Sequence, residues 1–433
     1  MTSPAPHRLS RADVRTLLLA TLGGALEFYD FVIFVYFTGV IGTNFFPAST
    51  PDWLRQVQTY GIFAAGYLAR PLGGILMAHF GDREGRKRMF TLSVLLMALP
   101  TLAIGLLPTY GGAGLLAPLL LLFLRVLQGA AIGGEVPGAW VFVAEHLPAR
   151  RLGLACGTLT GGLTLGILLG SLMAGMLNRT LSGEELLDWG WRIPFVAGGV
   201  FGLVAVRLRA WLEETPLFEE LRRERALAAQ APLRIVLRSH RPAVALSMVM
   251  TWVLTAGIVV VILMTPALLK GFGVDARTAL TANSLATLGL TLGCLSAGVL
   301  ADRFGYQRVF AIGCLSLAIA VELLYRGVLI DRSLLLPLYA LAGTLTGVIA
   351  LVPVMMVRSF PTAVRFTGLS FSYNAAYAVF GGITPPLVAG LAKLDRLAPA
   401  HYVAGVAVIG AVIGLVLATR KSPDAAGLPQ VAA

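Results

Sequence analysis

Five ionisable residues stand inside long apolar runs of this 433-residue chain: Glu27 and Asp30 in 23-GGALEFYDFVIF-34, then Arg70, Arg125 and Glu135. On a helix, Glu27 and Asp30 share one face about one turn apart. In hydrocarbon an ionised carboxylate costs several kcal/mol unless it is paired or lines a wet cavity. Two arginines, effectively always protonated, face three carboxylates, so two acids can be paired and one is surplus. A surplus carboxylate in a low dielectric binds a proton near neutral pH, which is what a proton-exchanging group needs. Asp30 or Glu135 is the expected proton carrier, Arg125 its switchable partner, and Glu27 the expected partner of Arg70. A purely structural charge network is the competing reading, and it weighs most for Arg70 and Glu27.

The elements that must hold these groups are membrane helices. The chain is 57% hydrophobic and only 13% charged, with a mean hydropathy of +0.80, where soluble proteins carry roughly 25% charged residues. Apolar runs recur near 16–42, 55–79, 88–108, 115–145, 153–178 and 191–211, and again near 242–268, 278–301, 308–327, 333–358, 366–392 and 401–419. Each is long enough to cross ~30 Å of hydrocarbon. The polar, basic start MTSPAPHRLSRADVR reads as a cytoplasmic arm before span 1, not as a removable leader. At ~1.5 Å per residue, Glu27 lies ~18 Å from Arg15, Arg70 as far from Asp82, and Glu135 ~15 Å from Glu145, all near mid-membrane.

Arginine and lysine concentrate in alternate loops, at Arg8, Arg11, Arg15, Arg83, Arg86, Lys87, Arg88, Arg150, Arg151, Arg303, Arg308, Arg358, Arg365, Arg420 and Lys421. By the positive-inside rule those loops and both termini are cytoplasmic. This bias explains the net charge of +12 without nucleic acid; the bilayer is the expected macromolecular surroundings. The Arg-rich, Ala/Leu/Gly-rich composition suits a bacterial cytoplasmic membrane. Residues 212–240 form the one long polar stretch, with ETPLFEELRRERALAAQ expected to be helical. They divide an N-terminal six-helix bundle, 1–211, from a C-terminal one, 241–433.

The halves echo one another. The loop after span 2 reads 81-GDREGRKR-88 and that after span 8 reads 302-DRFGYQR-308; 148-PARRLG-153 is matched by 361-PTAVRFTG-368. Such an internal repeat is the architecture of many secondary transporters. Asp82, Arg83, Gly85 and Arg86, with Asp302, Arg303, Gly305 and Arg308, are the expected cytoplasmic gate. The glycines allow a tight turn and the aspartates can interact with helix ends and nearby arginines.

At these residues the chain resembles the major facilitator superfamily, and within it the metabolite:proton symporters of citrate, α-ketoglutarate, shikimate and proline/betaine. The loop motif Gly-x-x-x-Asp-Arg-x-Gly-Arg-Lys is met by Asp82, Arg83, Gly85, Arg86 and Lys87, with Ala78 in place of its first glycine. The second copy keeps Gly298, Asp302, Arg303 and Gly305, but Tyr306 and Gln307 replace the basic pair, which implies a weaker gate. Further matches are 27-EFYDF-31, 70-RPLGG-74, 124-LRVLQGAAIGGE-135, 189-WGWRIPF-195 and 381-GGITP-385; Val136-Pro137-Gly138 departs from the usual Trp-Gly-Gly. The resemblance implies an all-α polytopic fold of twelve transmembrane helices in two six-helix halves. It also implies proton-coupled symport by alternating access, with spans 1 and 4 lining the cavity.

The C-terminal half has polar rather than charged candidates: Asn283, and Tyr373, Asn374 and Tyr377 within 370-SFSYNAAY-377. With Arg125 and Asp30 they form the expected substrate set. Arginine suits an organic anion, most simply a di- or tricarboxylate; a zwitterionic osmolyte (proline or betaine) is the alternative, and an exporter or a transport-dead sensor are rivals. The proton is the coupling ion and no other cofactor is expected. The five histidines sit at termini or span boundaries, and Cys156, Cys294 and Cys314 lack metal-ligand spacing, so neither a metal site nor an enzyme is indicated. A monomer is the expected working unit.

Overall fold

The computed structural model describes residues 11–84, 86–209 and 232–419. All regular elements among the described residues are helical. Spans 1–5 run Asp13–Tyr36, Asp52–Gly81, Lys87–Leu106, Leu116–His146 and Ala149–Thr180. Span 6 is a bent pair, Gly183–Gly190 and Arg192–Arg207, meeting at 42°. Spans 7–12 run Arg241–Phe272, Arg277–Phe304, Tyr306–Ile330, Arg332–Ser359, Thr362–Leu394 and Ala398–Thr419. The fold is therefore the all-α, twelve-span arrangement expected. The helix expected within 212–231 lies outside the described residues; the segment that follows forms a short helix, Pro232–Ser239.

The expected runs and the helices differ where the backbone changes pitch. Span 1 ends at Tyr36, Phe37 leaves helical geometry, and a short helix, Thr38–Phe45, completes the run. Span 7 widens into π turns over Ala256–Met264, span 10 tightens over Gly347–Leu351, and span 11 widens over Tyr377–Gly381. Local pitch changes of this kind often mark functional positions.

Spans 1–6 pack on one another and spans 7–12 do likewise. The halves meet along two seams, span 5 on span 8, and spans 2 and 4 on span 11. Lipid supplies no hydrophobic drive between helices, so small residues that let backbones approach supply the packing instead. A Cβ at Gly129 of span 4 would overlap the Gly66 carbonyl of span 2, and one at Gly133 would overlap that of Arg70. Spans 8 and 10 repeat the device: a Cβ at Gly293 would overlap the Thr344 carbonyl and one at Gly343 that of Ala286. The internal repeat thus extends from the loops into the glycine seams. Gly162 and Gly166 of span 5 press on Thr21 and Ala25 of span 1 in the same way.

The 189-WGWRIPF-195 stretch has a structural job. Arg192 Nη1 donates to the carbonyls of Gly105 (2.9 Å) and Leu107 (2.7 Å), which end span 3. A cation there satisfies orphan carbonyls and complements the helix dipole. Trp191 packs edge-on against Phe45 and Phe195.

Gly129→Val should force spans 2 and 4 apart at a cost of about 1–3 kcal/mol, lowering the thermal unfolding midpoint by several degrees in detergent. Gly390→Ala, at a site with open space around it, should leave the midpoint unchanged. Equal midpoints for both variants would contradict the close-packed seam.

Candidate functional site

The tight seam between spans 2 and 4 fixes the depth of Arg70, whose side chain is buried. Its guanidinium reaches across to span 11, where Ser370, Tyr373, Asn374 and Tyr377 fall at helical spacing on one face. The guanidinium carbon lies 4.4 Å from the Tyr377 ring centroid, 5.4 Å from Tyr373 and 5.5 Å from Tyr67 of its own span. Arg70 Nε donates to Asn374 Oδ1 at 3.4 Å, while Nη2 has no hydrogen-bond partner among the described residues. Asn374 is anchored in turn: its Nδ2 donates to the Gly133 carbonyl of span 4 (2.6 Å) and to the Ser370 carbonyl (2.8 Å). Ser370 Oγ also donates to Gly133. Three helices from both halves meet at this one cation.

Arg125, also buried, lies against two parallel rings of the N-terminal half, 4.2 Å from the centroid of Phe34 and 5.3 Å from that of Phe63. Phe63 packs edge-on to Tyr67 and Tyr67 stacks on Tyr377. Tyr377 continues to Tyr373, and Tyr373 meets Trp140 edge-on. A ladder of six rings therefore connects the two arginines and crosses between halves twice. A desolvated cation on an aromatic face gains about 2 kcal/mol, which offsets part of the expense of holding a guanidinium in mid-membrane.

Asp30 is fully buried, and neither carboxylate oxygen has a hydrogen-bond partner among the described residues. It faces span 6, where a Cβ at Gly198 would overlap Oδ1 and one at Gly202 would lie 3.4 Å from Oδ2. It does not meet Arg125 directly. Arg125 Nη1 donates to Gln128 Oε1 (2.9 Å), Gln128 Nε2 donates to Thr101 Oγ1 (2.6 Å), and Thr101 donates to the Met97 carbonyl (2.9 Å). Thr101 also borders Asp30, its methyl group reaching the same Gly198 position. Gln128 and Thr101 thus stand between Arg125 and Asp30. Glu135 is buried and accepts a hydrogen bond from Ser93 of span 3. Glu27 lies in span 1, but its side chain is outside the described residues.

A second layer joins the halves at the end that carries the Arg-rich loops, here termed the basic end. Asp302, at the end of span 8, accepts from the backbone N–H groups of Gly153 (2.7 Å) and Leu154 (2.9 Å) at the start of span 5. This is a helix N-terminus capped by a carboxylate from the other half. Arg365 Nη1 and Glu145 Oε1 form a buried ion pair at 3.0 Å between spans 11 and 4. Arg358 donates to the Ala149 carbonyl at 3.4 Å. Beneath them the Pro232–Ser239 helix inserts Val236 beside Val244, Phe360 and Val364. Spans 4 and 5 of one half are thus tied to spans 8, 10 and 11 of the other at the basic end.

Several sequence candidates stay outside this arrangement. Asn283 is buried within the C-terminal half, where it accepts from the Tyr339 hydroxyl at 2.7 Å. Gly305 makes the expected tight turn with φ +89°; Arg303 lies exposed against Phe304, and Arg308 is exposed. The side chains of Asp82, Arg83 and Arg86, and Gly85 itself, are outside the described residues. Arg365, counted in the sequence as a loop anchor, is instead a buried gate residue. Sequence reasoning also missed Phe34, Phe63, Tyr67, Thr101, Gln128 and Ser93. The available signal was spacing: Phe63 and Tyr67 stand seven and three residues before Arg70, and Gln128 three after Arg125.

Comparison with known proteins follows this geometry. The family model of the Major Facilitator Superfamily matches residues 21–385. A Staphylococcus aureus (strain COL) protein, provisionally named a proline/betaine transporter, is 33% identical over 417 residues, covering 92% of this chain and 87% of that protein. The proline/betaine transporter of Escherichia coli (strain K12) is 30% identical over 422 residues, covering 93% and 83%. Among solved structures, the proton:xylose symporter XylE bound to 6-bromo-6-deoxy-D-glucose superposes with a TM-score of 0.75 at 19% identity, covering 94% of each chain. Its partially occluded inward-open form from Escherichia coli gives 0.68 at 18% identity, covering 96% and 98%. These structural likenesses speak to fold.

Removing one partner of a buried ion pair costs about 3–5 kcal/mol. Arg365→Ala should therefore loosen the basic end. Cys294 of span 8 faces span 5, its Cβ 3.7 Å from a Cβ placed at Gly161, whereas Cys314 packs on Gly410 of span 12. Alkylation of Cys294 by a maleimide should speed up about tenfold in Arg365→Ala, with Cys314 as the unchanged control. An unaltered Cys294 rate would show that the pair does not hold the closure.

Proposed function

The chain belongs to the major facilitator superfamily, and from that premise we propose that it is a secondary carrier bringing a small carboxylate-bearing solute into a bacterial cell with protons. The two halves rock about the seam to give alternating access across the cytoplasmic membrane. With both termini cytoplasmic, the basic end is the inner gate, and the present state is closed toward the cytoplasm. One observation carries the reading. The buried Arg70, near mid-membrane on one half, is held by Asn374, Tyr373 and Tyr377 of the other half. A ligand that takes over any of those contacts changes how the halves are tied.

The substrate class follows from the chemistry of the layer. Guanidinium groups recognise carboxylates through paired hydrogen bonds. Aromatic faces accept alkylammonium groups. A carboxylate zwitterion of the proline or betaine kind uses both, and the names of the two relatives point the same way. The di- or tricarboxylate first expected shares the anionic handle but leaves the ring faces without a partner. All these groups come from one chain, so a monomer suffices. The scheme needs the proton as coupling ion and no other cofactor.

Asp30 is the proton site in this scheme. A fully buried carboxylate lacking hydrogen-bond donors would cost several kcal/mol as an anion, so the closed state is the proton-loaded one. Loss of the proton leaves a negative charge beside Thr101. That charge can draw the Thr101 hydroxyl away from the Met97 carbonyl and pull on Gln128, which shifts one of the groups that position Arg125. The proton site is thereby linked to Arg125 through two named side chains, and the rings of Phe34, Phe63, Tyr67 and Tyr377 continue from Arg125 to Arg70.

Proteoliposomes with an imposed inward proton gradient test the proposal. Wild-type protein should accumulate radiolabelled glycine betaine or L-proline, and collapse of the gradient with an ionophore should stop it. Asp30→Asn should lose accumulation at least tenfold while retaining exchange of labelled for unlabelled solute. Gradient-driven accumulation by Asp30→Asn at the wild-type rate would remove Asp30 from the coupling step. Accumulation of citrate or α-ketoglutarate, with neither zwitterion taken up, would restore the organic-acid reading.

A further inference from the structure

Arg70 occupies a place that its own chemistry does not require. Guanidinium groups in proteins are normally satisfied by several carboxylate or carbonyl oxygens, yet this one has a long hydrogen bond to Asn374, lies among three tyrosine rings drawn from both halves, and leaves Nη2 without a hydrogen-bond partner among the described residues. Tyr67 and Tyr377 stand nearly parallel, 7° apart in tilt and 6.1 Å between centroids, and Tyr373 meets Tyr377 at 4.8 Å with a tilt of 55°. Three rings gathered about one cation, two nearly parallel and the third inclined to them, offer the aromatic faces that recognise methylated ammonium groups. The π turns that begin at Tyr377 set where its ring lies on span 11.

We propose that the Tyr67/Tyr373/Tyr377 box is the substrate's cation subsite, and that Arg70 occupies it as a tethered stand-in when no substrate is bound. The inference rests on the zwitterion reading above and adds a displacement step. The ammonium of the solute takes the place of the guanidinium against the rings, and the displaced guanidinium, with Nη2 available, turns to the solute's carboxylate. No bond is made or broken; one cation–ring contact is exchanged for another, and a charge-assisted hydrogen bond is gained. Because Arg70 belongs to one half and two of the rings to the other, the solute becomes the link between halves. A solute lacking either charge cannot complete the exchange. A plain cation cannot recruit the guanidinium, and a plain carboxylate cannot dislodge it from the rings.

The test compares glycine betaine with 3,3-dimethylbutanoate, its uncharged-head isostere of the same shape, by equilibrium binding to the purified full-length carrier. Wild-type protein should prefer betaine by about tenfold or more, and Tyr377→Leu should abolish that preference. Arg70→Met should do the converse, weakening betaine while allowing tetramethylammonium, tested alone, to bind at least tenfold more tightly than to wild type. Equal binding of betaine and its isostere to wild type would overturn the box while leaving the carboxylate-solute reading intact. If betaine does not bind wild type at all, the zwitterion reading fails, and tetramethylammonium binding decides the box: a gain in Arg70→Met supports it and no gain overturns it. Should Arg70→Met fail to fold, the neutral and polar Arg70→Gln serves in its place. Lysine is unsuitable, because its own ammonium can fill the box. With Arg70→Gln, tetramethylammonium should again gain, and an unchanged affinity would overturn the stand-in role.

Discussion

The expense of holding charge in hydrocarbon governs this structure. Arg70, Arg125, Glu145 and Arg365 are all buried, and each buried charge must find an opposite charge, a dipole or an aromatic face. Several of those partners lie on the other half of the molecule: tyrosines and Asn374 for Arg70, and Glu145 for Arg365. The contacts that make the charges tolerable are therefore the contacts that tie the halves together. Anything that supplies an alternative partner, whether a proton or a solute, loosens or re-forms the seam.

The layered arrangement divides the work. At the basic end Asp302 caps span 5 and Glu145 pairs with Arg365, interactions specific enough to hold a closed state. Toward the middle the contacts are softer, with ring faces and a 3.4 Å hydrogen bond from Arg70. Softer contacts are the ones a small ligand can replace. Span 6 completes the centre by offering Gly198 and Gly202 to Asp30, so that a carboxylate is enclosed by backbone rather than matched with a base. The second copy of the loop motif, which lacks the basic pair, nevertheless supplies the carboxylate that caps span 5 of the other half. Its partner is a helix N-terminus, which needs no arginine.

Much of the fold was legible in the sequence because membrane thickness fixes span length, and twelve apolar runs gave twelve spans. The repeat was legible through Asp-Arg-x-Gly and the Pro-Ala-Arg echoes. Arg70, Asn374, Tyr373 and Tyr377 were named from the sequence, and the structure brings these four together. Charge counting could not give the pairing. It offered Arg125 as partner to either Asp30 or Glu135; the structure turns Asp30 toward spans 3 and 6, with Gln128 and Thr101 between it and Arg125. Arg365 was read as an anchor because helix ends in sequence do not reveal which neighbours cover them. The aromatic ladder was missed for a related reason: Phe63 and Tyr67 on a membrane helix look like lipid-facing residues until span 11 is laid beside them.

The most direct measurement is a high-resolution structure of the carrier in lipid nanodiscs with saturating glycine betaine. The account predicts ligand density at the seam, its trimethylammonium group among Tyr67, Tyr373 and Tyr377 and its carboxylate against a displaced Arg70. Betaine bound elsewhere, with the Arg70 guanidinium still seated among the three rings, would contradict it.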